Sequence, residues 1–332
     1  MKIVESASYA RAGLLGNPSD GYYGKTIAVI VKNYSAKVVL YEWPELEIML
    51  SRQDRCQFNR IEELVEDVQL NGLYGGLRLI KAAIKVFAEY CQNQGIKLPR
   101  QNFSLRYETN VPRQVGMAGS SAIITAVFRA MMRFYEVDIS RPELANLVLA
   151  VETKEIGIAA GLQDRVCQAY EGLVYMDFNR PHFEAHGHGV YEALDPALLP
   201  PLFLAHQRDL SQISGVYHSN LRERWERGDS EVREAMEVFA QLAEEGRKSL
   251  LRRDYETLAR LIDQNFNTRA TLVKLDPANV KMVELARKYG LCAKYAGSGG
   301  SIVGICQHDD VYDEPQQAFE DIGCTVVRPL IV

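Results

Sequence analysis

The chain has 332 residues, of which 47% are hydrophobic and 24% are charged, as is ordinary for a soluble globular protein. This length favours two domains. The net charge of −5 includes no basic block, which argues against nucleic acid or an anionic membrane surface as the main partner.

No apolar run reaches the roughly 18 residues that a transmembrane helix needs. The first nine residues include an acidic residue and polar residues, so they lack the apolar centre of a signal peptide. The six cysteines are scattered and form no C-x-x-C pair, which predicts reduced thiols rather than a zinc site. We therefore expect a cytoplasmic protein that does not interact with membranes.

The first part of the chain mixes strand and helix patterns. Apolar alternation over residues 1–15 leads into a turn signal at 16–21. Further along, the patterns predict strands at 27–41, 103–108 and 173–178, and helices within 61–94, at 123–134 and at 143–154. Gly95 is expected to end the second of two helices in the 61–94 segment.

A change in composition between residues 179 and 201, where four prolines fall, marks the best candidate domain boundary. We expect an N-terminal domain over residues 1–190 and a C-terminal domain over residues 200–332. The latter is predicted to contain strands at 202–206, 293–296, 302–306 and 325–330, and helices at 216–227, 230–252, 255–272, 279–289 and 314–322. Without regular βαβ alternation, the pattern predicts an α+β fold.

The most informative stretch is N-V-P-R-Q-V-G-M-A-G-S-S-A, residues 110–122. Pro112 ends the preceding element, and Gly116 and Gly119 permit positive φ and close approach of a ligand. Ser120 and Ser121 fall where a helix begins. A glycine-rich turn before a helix N-terminus is typical of a phosphate-binding loop, although an ordinary loop capped by serine fits the same letters.

A second group is Arg11 with Asp20, on either side of the Gly16 turn. A fixed carboxylate at Asp20 suits sugar hydroxyls, and it equally suits stabilisation of the turn. The nearby run Gly21–Thr26 ends in G-K-T but has Ser19 where a P-loop requires glycine, which excludes a Walker-type site.

Carboxylates form a third group. Glu152, at a predicted helix end, together with the Ser121 hydroxyl offers the hard oxygen ligands that Mg²⁺ prefers. Asp164 follows Gly157 and Gly161 and suits a group that orients or deprotonates an attacking hydroxyl. Taken singly, Glu152 also fits a solvated helix end and Asp164 an N-cap.

Two further clusters are ambiguous. Lys294 precedes a second glycine-rich turn, Gly297-Ser298-Gly299-Gly300, which lacks the last glycine of a dinucleotide-binding motif and also fits a β-hairpin. His182, His186 and His188 lie in the boundary segment, where no regular spacing supports a metal site.

Together these stretches resemble the three motifs of the galactokinase, homoserine kinase, mevalonate kinase and phosphomevalonate kinase (GHMP) superfamily. The motifs are R-A-G-L-L-G-N-P-S-D (11–20), P-R-Q-V-G-M-A-G-S-S-A (112–122) and K-Y-A-G-S-G-G-S (294–301). Within the superfamily the chain looks most like the plant-type glucuronokinases. This resemblance implies a two-domain fold with a ferredoxin-like C-terminal domain, ATP and Mg²⁺ as cofactors, and phosphorylation of the anomeric hydroxyl of D-glucuronate.

The resemblance also implies roles for individual residues. Asp164 and Arg11 match the catalytic residues, and Ser121 and Glu152 match the metal ligands. The residues expected to bind the nucleotide are Tyr74, Pro112, Gly116, Met117, Ala118, Gly119, Ser120, Ser121, Gly297 and Gly299. Those expected to bind the sugar are Asn17, Asp20, Arg113, Gln163 and Arg165.

One departure from the superfamily pattern concerns the substrate. Many of its sugar kinases carry Glu-His where this chain has Asn17-Pro18, and loss of that acid lowers the repulsion of an anionic sugar. A sugar acid also needs a cation, for which Arg113 and Arg165 are the candidates. A kinase for another sugar (heptose, fucose, arabinose or galacturonate) and a non-catalytic binding regulator are the alternatives.

Overall fold

The structure, a computed structural model, describes residues 2–49, 75–208, 221–306 and 313–331. These residues form two compact units, and neither unit is continuous in sequence. Unit 1 comprises residues 1–10, 34–112 and 118–169, and unit 2 comprises residues 11–33, 113–117 and 170–332. Two long strands, β1 (Ile3–Leu15) and β2 (Lys25–Glu42), each contribute residues to both units.

Unit 1 contains a small mixed sheet. Strand β4 (Phe103–Thr109) pairs antiparallel with residues 36–42 of β2, and the short strand β3 (Glu47–Met49) pairs parallel with β4. Strand β4 buries alternate side chains, including Phe103 and Leu105, because successive residues of a strand face opposite sides.

Helices supply the rest of unit 1. They are α1 (Gly76–Asn93), α2 (Gly119–Tyr135), α3 (Arg141–Ala150) and α4 (Gln163–Tyr170). In α1, Leu79, Ile80, Ala83, Val86 and Phe87 are buried, as the three- and four-residue spacing predicts. Phe87 also packs against Phe128 of α2, with ring centroids 6.0 Å apart.

The bounds of α3 determine where Glu152 lies. The Ser140 side chain accepts a hydrogen bond from the Glu143 N–H, and Pro142 occupies the first turn, as is typical of helix N-termini. At its other end α3 passes directly into a π-helical turn, Val151–Glu155, in which Glu152 is fully buried. Such π-turns are frequent at functional sites.

Unit 2 contains two sheets. In one, strand β5 (Leu173–Asp177) pairs antiparallel with residues 25–29 of β2 and with β6 (Val190–Leu194). The other is fully antiparallel with the order β10-β7-β9-β8. Its strands are β7 (Leu202–Gln207), β8 (Lys294–Tyr295), β9 (Ser301–Ile305) and β10 (Cys324–Val327).

Six helices belong to unit 2 in the described ranges: α5 (Arg180–His186), α6 (Leu221–Glu226), α7 (Ser230–Arg252), α8 (Tyr255–Leu272), α9 (Pro277–Lys288) and α10 (Asp313–Asp321). The four-stranded sheet buries Phe203 and Tyr295 against Phe266, Met282 and Phe319. The packing of helices on antiparallel strands confirms the predicted α+β class.

Most predicted elements are present within a few residues of their expected bounds, and Gly95 follows the last turn of α1 with a positive φ of 70°. The first helix predicted within residues 61–94 lies largely outside the described residues. The proline-rich segment 179–201 holds α5 and β6, and the boundary there stays a prediction. In the described ranges, no helix combines the length and apolarity required to cross a bilayer.

Candidate functional site

The glycine-rich loop between β4 and α2 alternates in backbone conformation. Gln114, Gly116 and Ala118 have positive φ values of 56°, 69° and 62°. The predicted left-handed conformation of Gly116 is therefore confirmed. Gly119 instead opens α2, where an added Cβ would lie 3.3 Å from the Val111 side chain. Alternation of this kind turns successive N–H groups toward a shared concavity that suits anions.

In unit 2, the carbonyl groups of the loop are directed at protein donors. The Val115 carbonyl accepts a hydrogen bond from Ser301 Oγ at 2.6 Å. The Gly116 carbonyl accepts from the Arg11 guanidinium at 3.1 Å, and the Met117 carbonyl accepts from the Arg11 backbone N–H at 3.2 Å. The carbonyls of Val115, Gly116 and Met117 are therefore engaged by the protein itself.

In unit 1, the loop continues into the N-terminus of α2. The Ala118 carbonyl accepts hydrogen bonds from Gln168 Nε2 at 3.0 Å and from Ser121 Oγ at 3.1 Å. No side chain caps α2, so the N–H groups of its first turn lack a capping acceptor. The positive end of the helix dipole and these N–H groups together favour an anion such as a phosphate.

Four side chains of unit 1 form a carboxylate cluster. Glu152 accepts a hydrogen bond from Ser120 Oγ at 2.5 Å, and its other oxygen accepts from Arg165 Nε at 2.6 Å and from a terminal nitrogen of the same guanidinium. Arg165 also lies 3.1 Å from Asp164 and donates to the Gly161 carbonyl. One buried arginine thus contacts two of the three carboxylates predicted to be functional, Glu152 and Asp164.

This cluster fits a nucleotide-bound Mg²⁺ by its chemistry, because a carboxylate and adjacent seryl hydroxyls are hard oxygen donors. The hydroxyl that contacts Glu152 belongs to Ser120, whereas Ser121 is fully buried and donates to the Ala118 carbonyl. Ser120 therefore joins Ser121 as a candidate ligand. Among the described residues, no group of three or more His, Cys, Asp or Glu side chains is placed to hold a metal by itself.

The third motif packs against the phosphate loop within unit 2. A Cβ added to Gly297 would lie 2.1 Å from the Gly116 carbonyl oxygen, and one added to Gly116 would lie 2.6 Å from the Gly299 carbonyl. Arg11 donates to the carbonyls of both Gly116 and Ala296, at 3.1 and 2.6 Å. Glycine is therefore required where the two backbones meet.

The first motif forms a turn that is held by hydrogen bonds from Asn265 and from Lys294. Gly16 has a φ of 86° and donates its N–H to Asn265 Oδ1 at 2.7 Å, and Asn265 Nδ2 donates to the Asn17 carbonyl. The Lys294 amino group donates to the Gly13 carbonyl and to Asn17 Oδ1, each at 2.6 Å. These contacts fix both the backbone and the side chain of Asn17.

Lys294 is 2% exposed. Burial, together with the neighbouring positive charges of Arg269 and Arg11, holds the pKa of its ammonium well below the usual range. Arg269 donates to the carbonyls of Gly297 and Ser298, at 2.9 and 3.2 Å. The first and third motifs thus contain two basic side chains, Arg11 and Lys294, and a third, Arg269, contacts the third motif.

The remaining predicted residues are placed as follows. Pro112 is half-buried at the start of the loop, Gln163 is the buried first residue of α4, and Asp20 lies half-buried in the short turn Ser19–Tyr22. Arg113 is exposed. Tyr74, predicted to contact adenine, lies outside the described residues.

In the boundary segment, the rings of His182 and His186 stack with centroids 4.1 Å apart, and His188 meets the His182 ring edge-on. The sequence reasoning assigned no role to two amides of the site, Gln168 and Asn265. For Asn265 the available signal was a polar residue on the buried, otherwise apolar face of α8.

Comparison with known proteins identifies the family. A model described as the GHMP kinases N terminal domain matches residues 78–172, and one described as GHMP kinases C terminal matches residues 247–321. Glucuronokinase 1 of Arabidopsis thaliana is 44% identical over 309 residues, which cover 91% of this chain and 85% of that protein. Probable glucuronokinase 2 of the same plant is 44% identical, with 92% and 84% covered.

Solved structures show the same fold. Galactokinase of Lactococcus lactis, solved in complex with galactose, has a TM-score of 0.78 at 14% identity, and the match covers 99% of this chain and 94% of that one. Mevalonate kinase of Methanococcus jannaschii has a TM-score of 0.71 at 18% identity, with 99% and 98% covered.

Proposed function

The chain belongs to the GHMP kinases, and on that premise we propose that it transfers the γ-phosphate of ATP to the anomeric hydroxyl of D-glucuronate, giving glucuronate 1-phosphate and ADP. The structural observation that carries the kinase assignment is the phosphate loop. Its carbonyls are engaged by Ser301, Arg11 and Gln168, and no side chain caps the start of α2, an arrangement that suits phosphate oxygens. The 44% identity to two glucuronokinases supports the choice of sugar.

The proposed roles follow from the geometry. Glu152 with Ser120 and Ser121 would hold Mg²⁺, which when bound neutralises charge on the phosphates. Arg165 holds Glu152 and Asp164 in fixed positions. Asp164 orients the anomeric hydroxyl or accepts its proton while that oxygen bonds to the γ-phosphorus and the bond from phosphorus to the ADP oxygen breaks. Since such transfer depends mostly on positioning and charge stabilisation, either role suits Asp164.

Arg11 is proposed to act through the loops. Its guanidinium bridges the carbonyls of Gly116 and Ala296, so it fixes the second and third motifs relative to each other. The predicted contact of Arg11 with the reacting groups stays a prediction. We propose the backbone of Gly297 and Gly299 as part of the nucleotide site for the same reason, since that turn lies directly against Gly116.

The geometry distinguishes the two arginines proposed for the substrate carboxylate. Arg165 is buried and already contacts Glu152 and Asp164, whereas Arg113 is exposed at the start of the phosphate loop. We favour Arg113 for the carboxylate because an exposed side chain can turn toward a ligand, and we propose Asp20 and Gln163 for the sugar hydroxyls. Arg113→Ala should weaken glucuronate binding in calorimetry, and unchanged affinity would remove Arg113 from the site.

The decisive experiment is a sugar panel with Mg·ATP in which ADP release is measured. We expect turnover with glucuronate to exceed turnover with galacturonate, glucose, fucose, arabinose and a heptose. A higher kcat/KM for any other sugar would replace glucuronate as the substrate. Absence of turnover with the whole panel, together with retained ATP binding, would favour a binding regulator on the same fold.

A further inference from the structure

The contact between Lys294 and Asn17 joins the third motif to the first within unit 2. The Lys294 amino group lies 2.6 Å from Asn17 Oδ1, 2.6 Å from the Gly13 carbonyl and 2.7 Å from the Tyr295 carbonyl. Both side chains are almost fully buried, at 2% and 6% exposed. Burial and nearby cations lower the pKa of Lys294, but three oxygen acceptors at these distances require three hydrogens, so this hydrogen bonding favours the protonated ammonium.

This contact decides which way the Asn17 amide faces. In the structure the Asn17 oxygen faces the Lys294 ammonium, which donates and never accepts, so the NH₂ group is turned away from Lys294. In the described part of the chain, Asn17 Nδ2 has no hydrogen-bond acceptor. Nor is it one of the buried side-chain polar atoms left without a partner, so this nitrogen keeps some solvent exposure.

Among the described residues, the positive charges of Lys294 and Arg269 have no carboxylate within ion-pair distance. All three hydrogen bonds of Lys294 go to neutral oxygens, and those of Arg269 go to the carbonyls of Gly297 and Ser298. A buried cation without a counter-ion is costly, and an anion bound nearby lowers that cost.

We propose that Lys294 and Asn17 together select an anionic sugar: Lys294 orients the Asn17 amide so that its NH₂ group donates to the substrate carboxylate and supplies the positive charge behind it. This inference rests on the proposed function and adds the device that distinguishes the acid from its neutral analogue. Lys294 acts through Asn17 and is a positioning residue, whereas Asn17 contacts the substrate.

Asn17→Asp is the sharpest test, because the change is isosteric and gives Lys294 an ion-pair partner. The protein should therefore fold and melt at the same or a higher temperature. The new carboxylate removes the NH₂ donor and repels the substrate carboxylate, so glucuronate affinity by calorimetry should fall about 100-fold. The KM for ATP should be unchanged, and the ratio of kcat/KM for glucuronate to that for glucose should fall.

Asn102→Asp is the matched control. Asn102 is exposed and donates to the Pro44 carbonyl, so this variant adds the same charge at a turn of unit 1. It should bind glucuronate like the wild type. Equal weakening in both variants would attribute the effect to net charge and overturn the proposal, as would wild-type glucuronate affinity in Asn17→Asp.

Lys294→Met tests the positioning role separately, because methionine preserves most of the apolar stem. We expect the glucuronate preference over glucose to fall while the KM for ATP stays near the wild-type value. A purely structural role would lower the melting temperature and weaken both substrates alike. If Lys294→Met does not fold, the Asn17→Asp result alone decides the proposal.

The two proposals fail in different ways. If the wild-type enzyme releases no ADP with glucuronate but does so with a neutral sugar, the proposed substrate is wrong. If the wild type uses glucuronate and Asn17→Asp retains both affinity and preference for it, only the selection by Lys294 and Asn17 is wrong.

Discussion

Arg165 and Glu152 form a buried ion pair in which the guanidinium donates two hydrogen bonds to one carboxylate oxygen, and their side chains are 6% and 0% exposed. The second carboxylate oxygen of Glu152 accepts from Ser120. Because Glu152 follows α3 and Arg165 lies in α4, this pair joins two helices next to the proposed metal ligands.

Removal of the Arg165 guanidinium should lower the stability of the protein strongly. Arg165→Met leaves a buried, unpaired carboxylate, so the free energy of unfolding should fall by about 3–5 kcal/mol in urea denaturation. Arg180→Met is the control, because Arg180 pairs with Glu184 on the surface, with side chains 65% and 58% exposed. That change should cost less than about 1 kcal/mol. Similar losses in both variants would show that burial of the Arg165 pair carries no special weight.

The double variant Glu152→Gln/Arg165→Met separates pairing from packing. Since it contains no unpaired charge, it should be more stable than Arg165→Met alone, and the cycle should give a coupling of about 0.5–3 kcal/mol. Strict additivity of the two changes would mean that the observed ion pair contributes nothing beyond its separate side chains.

Replacement of Asp164 tests the chemical step. Asp164→Asn keeps the shape of the side chain but cannot accept a proton, so kcat should fall roughly 10²–10⁴-fold while ATP affinity by calorimetry is retained. Asp195→Asn, at the start of the short turn Pro196–Leu198, is the control and should keep wild-type kcat. Normal turnover in Asp164→Asn would exclude Asp164 from the reaction, and loss of ATP binding would indicate a structural role instead.

Local pattern predicted the parts of the site that depend on local structure. A turn before a helix is predicted by glycines, a proline and serines within a few residues, and Gly116 has the positive φ that glycine permits, whereas the phosphate-binding role stays a prediction. The environment of Glu152 did not follow. A helix end would ordinarily be solvated, yet tertiary contacts bury Glu152 fully in a π-helical turn.

Long-range contacts could not be predicted from the sequence, for a different reason. Asn17 and Lys294 are 277 positions apart, and no local propensity encodes which distant side chain meets an amide. Likewise, Ser120 and not Ser121 donates a hydrogen bond to Glu152. Which of two adjacent serines faces Glu152 depends on the exact orientation of α2, and residue spacing does not resolve it.

Because the second and third motifs are in close contact, we expect one added methyl group to lower stability and weaken ATP binding. In Gly297→Ala the Cβ would lie 2.1 Å from the Gly116 carbonyl, so the loops must separate. Stability should fall by about 1–3 kcal/mol, and the KM for ATP should rise because the phosphate loop moves. Gly290→Ala is the control: Gly290 has a φ of 72° but no atom within 4 Å of the added Cβ. It should lose stability without a change in the KM for ATP.

His206 in β7 predicts how stability depends on pH. The side chain is 6% exposed, and burial lowers its pKa below the usual 6.5. As pH falls through 6.5, the unfolded chain therefore takes up a proton at this position that the folded chain does not yet bind. The free energy of unfolding should decrease from that pH downward, until the pH lies below the folded pKa.

The measurement is urea denaturation between about pH 5 and about pH 7.5, where an unperturbed histidine changes charge. His206→Gln cannot titrate, so its stability should depend less steeply on pH than that of the wild type. His186→Gln, at an exposed position in α5, should retain the wild-type slope. If His206→Gln loses stability on acidification as steeply as the wild type, other groups cause the loss and burial of His206 has no measurable cost.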